Sequence, residues 1–347
     1  MRSDRRRSGV LSARISTVDA VIPVHNAPEL VRRCIESLLA SVGDQLGALV
    51  VVDDASDPPT VQLLRSIDHP KLRVVRADRN LGYGGAVNLG VASCDAPLVL
   101  QLNSDVEARE DFLSPLVAAL EADPALAGVN PGGNSYRRYD LPRYERRAGC
   151  VATNHLAGYA FLIRRSVFEA LGGFDPRFGR GYFEDSDLTR RIVRAGHWVG
   201  VHPETSLHHE SHGSFSDRPE RQALLEANRI VYHELWPGAR RNVLIASRAT
   251  RAAELPPDLV ARARALLDGG GSIWWFAPES PTGLLSLGMR GDRLGLLRAP
   301  RRFLHQRDDR WKRMTELWLV ADAPALPVAL LRLAARSQGI APEVWRG

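Results

Sequence analysis

Residues 49–54 read Leu-Val-Val-Val-Asp-Asp, an unbroken apolar run that ends in two acids. A run of this kind is typical of a strand inside a parallel sheet, because such a strand is buried on both faces. Comparable strand patterns occupy residues 18–24, 72–75 and 98–102, and amphipathic helical patterns lie between several of them. The sequence therefore predicts an α/β fold with a mainly parallel central sheet flanked by helices.

Polar residues follow three of the predicted strands at the point where each strand ends. Ligands of parallel sheets bind beyond the carboxyl ends of the strands, so we expect these side chains to share one rim. Acids at this position could accept the ring N–H of a uracil or thymine base, or simply build a turn. Asn26 is also placed to cap the helix that follows it. The rim residues are His25 and Asn26, Asp53 and Asp54, and Asn103 and Asp105.

Asp105 is a candidate ligand for a divalent cation. Mg²⁺ and Mn²⁺ favour one or two carboxylates, with substrate phosphates completing the coordination shell. Asn103 takes the first position of an Asp-x-Asp-like pattern and offers a neutral oxygen. The alternative is a capped loop that leads into a helix predicted at residues 111–122. A second ligand could come from a group of histidines that are otherwise ordinary surface residues, namely His202, His208, His209 and His212.

Residues 183–188 read Phe-Glu-Asp-Ser-Asp-Leu and open another predicted helix. Acids at a helix start complement the helix dipole, and Asp187 can pair with Arg191 one turn later, which is a purely structural explanation. The functional explanation is that Asp185 acts as a general base, a role worth roughly 10²–10⁴-fold in rate. The glycine-containing segment at residues 179–181 would bring a substrate close to it.

The formal net charge of +6 comes from 46 basic and 40 acidic residues, and much of the excess lies near the start of the chain. We predict a basic flexible tail at residues 1–16 and no nucleic-acid partner. The cysteines Cys34, Cys94 and Cys150 are widely spaced, which fits a reducing cytoplasm rather than a disulfide framework. No apolar run reaches the ~18 residues of a membrane span, so none is expected.

The chain divides into a main α/β unit at residues 17–240 and a C-terminal appendage of unknown shape at residues 241–347, where the periodicity weakens. The appendage holds several aromatic residues among arginines. They could fill a small core, which is the simpler interpretation, or bind an acceptor, a partner chain or a membrane surface. These residues are Trp274, Trp275, Phe276, Trp311 and Trp318.

Several of these segments, taken together and in this order, resemble the family 2 glycosyltransferases, which have the GT-A fold. The resemblance runs from about residue 18 to residue 215, over half of the chain. His25 stands where the family usually has Tyr. The glycine-rich form of one segment looks most like the bacterial rhamnosyltransferase and galactofuranosyltransferase branch. The segments are residues 21–26 (VIPVHN), 52–57 (VDDASD), 80–90 (NLGYGGAVNLG), 102–106 (LNSDV), 172–175 (GGFD), 184–188 (EDSDL) and the stretch from His209.

The resemblance implies an inverting enzyme that moves one sugar from a nucleotide-diphosphate sugar, a UDP- or dTDP-sugar with rhamnose among the candidates, to an acceptor hydroxyl. The acceptor would be a glycan, a lipid-linked sugar or a small molecule in cell-surface polysaccharide or natural-product synthesis. The enzyme would be cytoplasmic, with peripheral contact at the inner face of the cell membrane. Residues 17–130 would form the nucleotide-sugar half of the GT-A domain, and residues 131–240 the acceptor half.

The resemblance also implies roles for individual residues. Asp105 and His209 would hold Mg²⁺ or Mn²⁺. Asp185 would be the general base, and Glu184 would help to bind the acceptor. The nucleotide sugar would lie beside Pro23, His25, Asn26, Asp53, Asp54, Asn80, Gly84 and Asn103.

Two other functions stay open on the sequence. A sugar nucleotidyltransferase uses a similar sheet, but it usually begins with a glycine- and arginine-rich phosphate loop, and residues 24–28 read Val-His-Asn-Ala-Pro. A non-catalytic carbohydrate-binding protein of the same fold is compatible with Asn103. A nicotinamide enzyme is disfavoured because Gly82, Gly84 and Gly85 do not follow the first strand and lack the third glycine of the fingerprint. The sugar, the acceptor and the oligomeric state are left open.

Overall fold

The computed structural model describes residues 18–42, 45–133, 136, 139–210, 218–284, 295–305 and 310–346. The tail predicted at residues 1–16 lies outside the described residues, as does His212. The described chain contains two larger sheets, each flanked by helices, and a two-stranded ribbon.

The first sheet has eight strands and begins with four strands that are parallel to one another. Its strands are β1 (Val18–Val24), β2 (Leu46–Asp53), β3 (Leu72–Arg76), β4 (Leu98–Leu102), β6 (Leu126–Pro131), β7 (Val151–Thr153), β8 (Ala160–Arg164) and β9 (Trp198–His202). They lie in the order β3-β2-β1-β4-β8-β6-β9-β7. The pairs among β1 to β4 and the β6–β9 pair are parallel, whereas β8 runs antiparallel to both neighbours and β7 antiparallel to β9. The prediction of a mainly parallel sheet is confirmed.

Helices cover both faces of this sheet. They are α1 (Pro28–Ser41), α2 (Pro58–Ser66), α3 (Gly82–Val91), α4 (Leu113–Ala122), α5 (Arg165–Ala170), α6 (Glu184–Arg194) and α7 (Arg218–Leu235). Helices α1, α2 and α4 pack on one face, and α3, α5 and α6 pack on the other. Short 3-10 turns occur at Leu141–Arg143, Pro176–Phe178, Pro237–Arg240 and Ala252–Glu254.

The start of α1 differs from the prediction. Asn26 does not cap the helix, because the residue before its first turn is Ala27, and both residues have left-handed backbone angles (φ 63° and 57°). The Oδ1 of Asn26 instead accepts a hydrogen bond from the backbone N–H of Asp57 at 2.7 Å. Its own N–H donates to Oγ of Ser56 at 3.0 Å. Asn26 therefore ties the loop after β1 to the loop after β2.

The C-terminal appendage contains a second sheet of four parallel strands. They are β11 (Asn242–Ala246), β12 (Ser272–Phe276), β13 (Glu316–Val320) and β14 (Pro342–Trp345), and they lie in the order β12-β11-β13-β14. Three helices accompany them, α8 (Pro257–Asp268), α9 (Gly295–His305) and α10 (Ala325–Arg336). One apolar cluster continues from the first sheet into one face of the second.

The aromatic residues of the appendage mostly fill its core. Trp274, Trp275, Phe276 and Trp318 are buried on the strands of the second sheet, whereas Trp311 is half-buried beside α7. Within the described residues, no helix combines the length and the apolar character needed to cross a membrane.

Candidate active site

A cavity of about 630 Å³ opens at the carboxyl ends of β1, β2 and β4. It contains most of the residues that the sequence nominated, together with a second wall from the loops before β8 and α6. The nominated residues in its wall are Pro23, His25, Asp54, Asn80, Asn103, Asp105, Glu184, Asp185 and His209. Asp105 and Asp185, which are 80 positions apart, therefore face one shared space.

Asp105 and His209 meet because of a short two-stranded ribbon. Strand β5 (Val106–Glu107) pairs antiparallel with β10 (His208–His209), so that His209 lies opposite Val106. The N–H of Glu210 donates to the carbonyl of Asp105 at 3.0 Å and closes the ribbon. The His209 ring stacks on Tyr159, with ring centroids 5.0 Å apart and planes 12° apart. The neighbouring histidine, His208, was also a candidate metal ligand, but it does not line the cavity.

The Asp105–His209 pair fits a divalent cation. The Oδ1 of Asp105 is buried, and no described residue donates a well-formed hydrogen bond to it. That oxygen lies 3.2 Å from Nε2 of His209. In the described part of the chain, no three His, Cys, Asp or Glu side chains gather into a closed metal site. Two protein ligands and an open side match an ion that substrate phosphates complete.

Asp185 lies in the first turn of α6, and neighbouring groups hold its carboxylate in place. Its Oδ2 accepts from the backbone N–H of Gly158 at 3.0 Å, and its Oδ1 accepts from the N–H of Ser186 at 2.6 Å. His155 Nε2 lies 3.6 Å from Oδ2. A Cβ on Gly158 would lie only 3.0 Å from Oδ2, so a side chain there would crowd this oxygen. Oδ1 also accepts from the Ser186 hydroxyl at 3.3 Å, so Oδ2 is the oxygen that keeps a lone pair for another donor.

Glu184 is buried beside Asp185, and its Oε2 has no hydrogen-bond partner among the described residues. Burial, followed by the charge of Asp185, raises the pKa of Glu184 to about 8. Tyr83 lies close to both acids and donates from its hydroxyl to the carbonyl of Gly158 at 2.5 Å. Burial and the charges of Glu184, Asp185 and Asp105 raise the pKa of Tyr83 well above its usual value. Tyr83 therefore remains a hydroxyl donor at the centre of the cavity.

The opposite end of the cavity is built around His25 and Asp54. The Nδ1 of His25 lies 2.8 Å from the carbonyl oxygen of Asp54, a contact that a ring N–H satisfies, and 3.2 Å from Nδ2 of Asn80. The Asp54 carboxylate accepts from the N–H groups of Leu81 and Gly82 at 2.6 and 3.0 Å. Burial raises the pKa of Asp54, and these two amide hydrogen bonds oppose the shift. Asp54 thus anchors the loop that begins α3.

Three nominated residues lie outside the cavity wall. Asp53 is 2% exposed, and its carboxylate is occupied by Arg76 and by the N–H of Ser56. Asn26 ties two loops together, as described above. Gly84 lies within α3, where a Cβ would come to 3.2 Å from Cβ of Phe174.

Within the glycine-rich segment at residues 80–90, Gly82 is the glycine that shapes the cavity. Its φ is +74°, which favours glycine, and an added Cβ would lie 2.4 Å from the carbonyl oxygen of Gly179. Gly82 therefore permits close contact between the start of α3 and the loop before α6. Several other residues of the cavity wall were not predicted to be functional, namely Tyr83, His155, Tyr159, Arg180, Tyr182, Phe183 and Arg221. Of these, Tyr83 and Arg180 lie in glycine-rich segments that the sequence analysis singled out.

Comparison with solved structures identifies the class of fold. The mannosyltransferase PcManGT from Pyrobaculum calidifontis, in complex with GDP-Man and Mn²⁺, matches with a TM-score of 0.51 and 22% identity, over 63% of this chain and 63% of that one. The likeness, the sheet order and the cavity at the carboxyl ends of the strands define the GT-A fold.

Sequence comparison then places one region of the chain. Residues 19–172 match the model of glycosyl transferase family 2, so the chain contains a domain of that family. The succinoglycan biosynthesis protein ExoO of Rhizobium meliloti (strain 1021) is 33% identical over 184 residues, which are 50% of this chain and 51% of that protein. The N-acetylglucosaminyl-diphospho-decaprenol L-rhamnosyltransferase of Mycobacterium tuberculosis is 28% identical over 258 residues, 58% of this chain and 81% of that protein. The chain thus spans about half the length of the first of these relatives.

Proposed function

We propose that this protein is an inverting, metal-dependent glycosyltransferase that transfers one sugar from a nucleotide-diphosphate sugar to an acceptor hydroxyl. The observation that carries the proposal is the cavity in which the Asp105–His209 pair faces the carboxylate of Asp185. The family match and the relatives support this reaction class.

Asp185 is the general base in this reaction. Its carboxylate takes the proton of the acceptor hydroxyl while the acceptor oxygen bonds to the anomeric carbon of the donor sugar. The bond from that carbon to the phosphate oxygen breaks, and the nucleoside diphosphate leaves with the electron pair. The Gly158 N–H fixes Oδ2 of Asp185, so the base is oriented before the acceptor arrives.

Asp105 and His209 would hold the ion beside the diphosphate of the donor. When bound, Mg²⁺ or Mn²⁺ would neutralise the negative charge of the leaving group. Tyr83 supplies a hydroxyl near the three acids, and Glu184 contributes a carboxyl that burial keeps protonated at neutral pH, so it can donate to a sugar hydroxyl. At the far end, His25, Asn80 and Asp54 form the wall against the nucleoside.

The donor in this proposal is a UDP- or dTDP-sugar, with rhamnose the first candidate. The relative named as an L-rhamnosyltransferase supports a deoxyhexose donor, and its acceptor name supports a lipid-linked sugar. Asn103, in place of an acid, leaves the donor wall less negative than an Asp-x-Asp pair would.

The test is the Asp185→Asn variant. We expect the rate of sugar transfer to fall by roughly 10²–10⁴-fold, because the acceptor proton loses its base. The Kd for UDP with Mn²⁺, measured by calorimetry, should stay near the wild-type value, because the substitution is isosteric and lies away from the Asp105–His209 pair. Normal turnover by Asp185→Asn would reject Asp185 as the base. Absence of donor hydrolysis and transfer by the wild-type protein, across a panel of nucleotide sugars, would reject the function itself.

A membrane contact is the second part of the proposal. The helix α10 exposes Leu326, Leu330 and Leu333, with 67%, 42% and 69% of their surfaces accessible, along one stripe. Arg336, in the last turn of the same helix, is also exposed. Apolar side chains next to cations are typical of helices that lie on anionic lipid.

Co-sedimentation with vesicles tests this contact. We expect binding to vesicles of phosphatidylglycerol and little binding to phosphatidylcholine, and weaker binding after Leu326→Ser with Leu333→Ser. Val74→Ser, on an exposed position of β3 in the first sheet, is the matched control and should bind like wild type. Equal binding by the double variant and the wild type would reject the contact.

A further inference from the structure

A second cavity, of about 300 Å³, lies between the first sheet and the C-terminal sheet. Its wall combines α6 and α7 of the first unit with residues at the amino ends of β11 and β12 and just before β13. It shares His155 and Phe183 with the catalytic cavity. His155 also lies 3.6 Å from the carboxylate of Asp185, so the two cavities meet at the general base.

The wall of this second cavity is cationic. Arg190, Arg229 and Lys312 line it, and none of its described lining residues is acidic. Glu226, on α7, pairs with Arg229 at 3.2 Å and with Arg310 outside the wall. Asp268 lies near Arg190 and accepts from Asn154 at 2.8 Å. Among these described groups the cations outnumber the two acids, because Arg310 adds a fourth cation.

Two buried nitrogen atoms of this wall are unsatisfied. His233 is 8% exposed, and its Nδ1 has no hydrogen-bond partner among the described residues. The Nε of Arg190 also has no hydrogen-bond partner among the described residues, although the terminal nitrogens of Arg190 donate to backbone carbonyls of Asn154, Leu267 and Asp268. Buried polar atoms without partners cost stability, and they are commonly explained by a bound ion, water or ligand.

The pKa of His233 also reflects the positive charge of its surroundings. Burial, followed by Arg240 and Arg229, lowers the pKa of His233 to about 4. Its ring stacks on Trp311, with centroids 4.5 Å apart and planes 8° apart, which fixes the ring against the cavity wall. A neutral imidazole held this way contributes one N–H donor without adding charge.

We propose that the second cavity binds a phosphate group of the acceptor, so that the C-terminal unit completes the acceptor site. This inference rests on the proposed glycosyltransferase function. An acceptor sugar that presents its hydroxyl to Asp185 extends past His155 and Ser186 into the second cavity. A phosphate on that sugar then meets Arg229 and Lys312. A neutral sugar would leave the cationic wall without a counter-charge, so the charge favours an anionic group.

Binding of inorganic pyrophosphate tests the site separately from catalysis. Calorimetry is done with the full-length protein in EDTA, where no divalent ion can recruit pyrophosphate to Asp105. We expect one saturable site in the wild type. Lys312→Glu should weaken it by about tenfold or more, because a charge close to the ligand is reversed. Arg229→Gln, which removes a charge at the centre of the wall, should weaken it similarly.

Two controls accompany these variants. Arg248→Glu reverses an exposed cation that follows the carboxyl end of β11, whereas the cavity lies at the amino end of that strand, and it should bind within about twofold of wild type, because distant surface charges are screened. Asp105→Ala should also bind normally. The proposal is overturned if the wild type shows no saturable binding, if Lys312→Glu binds like wild type, or if Asp105→Ala abolishes binding. None of these results depends on donor turnover, so they are distinguishable from failure of the proposed function.

Competition then identifies the source of the phosphate. Glucose 1-phosphate, farnesyl diphosphate and methyl glucoside are each added against pyrophosphate. Stronger displacement by farnesyl diphosphate supports a lipid-linked acceptor, and stronger displacement by glucose 1-phosphate supports a soluble one. Displacement by methyl glucoside alone contradicts an anion site.

Discussion

The two acids at the end of β2 and the acid after β4 look alike in sequence. They differ in how fully other protein groups hydrogen-bond to their carboxylates. The carboxylate of Asp53 is occupied by Ser56 and Arg76. Asp54 accepts from two backbone amides of the loop that begins α3. By contrast, Oδ1 of Asp105 is buried with no well-formed donor in the described chain.

This difference separates acids that build the site from acids kept for a ligand. A buried acceptor without a donor costs about 1–3 kcal/mol, so such an atom is retained where something else uses it. The same test selects Glu184, whose Oε2 is also buried without a described partner. Asp53 and Asp54 hold the loops that shape the cavity, and Asp105 and Glu184 face its contents.

Asp105→Ala is the strongest test of this separation. We expect the transfer rate to fall about a thousandfold, because several kcal/mol of leaving-group stabilisation would act through the ion that we propose Asp105 holds. Calorimetry with Mn²⁺ in the presence of UDP should show the loss of metal binding directly. Asp68→Ala, at an exposed acid just after α2, is the control and should match wild type. Full Mn²⁺ affinity in Asp105→Ala would place the ion elsewhere and remove the distinction.

Asp53→Ala should have a smaller effect of a different kind. We expect the free energy of unfolding to fall by about 2 kcal/mol, because Ser56 N–H and Arg76 lose a buried charged acceptor. The KM for the donor should stay within about twofold, since the carboxylate does not reach the cavity. Urea denaturation and initial rates measure the two quantities. Unchanged stability with a raised donor KM would show that Asp53 contacts the nucleotide after all, as the family resemblance implied.

Much of the first sheet could be predicted because its strands are local apolar runs. Residues 18–24 and 98–102 form β1 and β4 with the predicted bounds. The helix α2 was not predicted, and its nine residues begin with two prolines that resemble a loop. The second sheet was also not predicted, because parallel pairing between β11 and β13 joins residues about 70 positions apart.

The candidate site residues were suggested by two kinds of signal. Strand ends nominated Asp105, and the helix start nominated Asp185, since both are readable locally. The family resemblance, and no local pattern, linked His209 with Asp105, because the ribbon that joins them has two residues per strand and leaves no periodic signal. The roles of Gly82 and Gly158 are set by close approach to distant backbone or side-chain atoms, which the sequence alone does not reveal.

The pH dependence of stability gives the most specific test of the comparison. Burial raises the pKa of Glu184 to about 8, against 4.5 for an ordinary glutamate. Between these values the native state binds a proton that the unfolded state has released. The free energy of unfolding contributed by this residue therefore falls as the pH rises from about 4.5 to 8. This is opposite to the behaviour of a salt-bridged carboxylate such as Asp175, whose pKa Arg177 lowers.

Glu184→Gln should remove that slope, because the amide does not titrate. Urea denaturation at several pH values between 5 and 8 should show the stability of the wild type falling relative to that of Glu184→Gln. Asp175→Asn, the matched control at a carboxylate with the opposite shift, should leave the slope in this range intact, because its titration lies below it. Parallel pH profiles for the wild type and Glu184→Gln would mean that Glu184 is ionised in the folded protein. Its buried oxygen would then need a cationic partner, and Glu184 would belong with the acids that the protein satisfies itself.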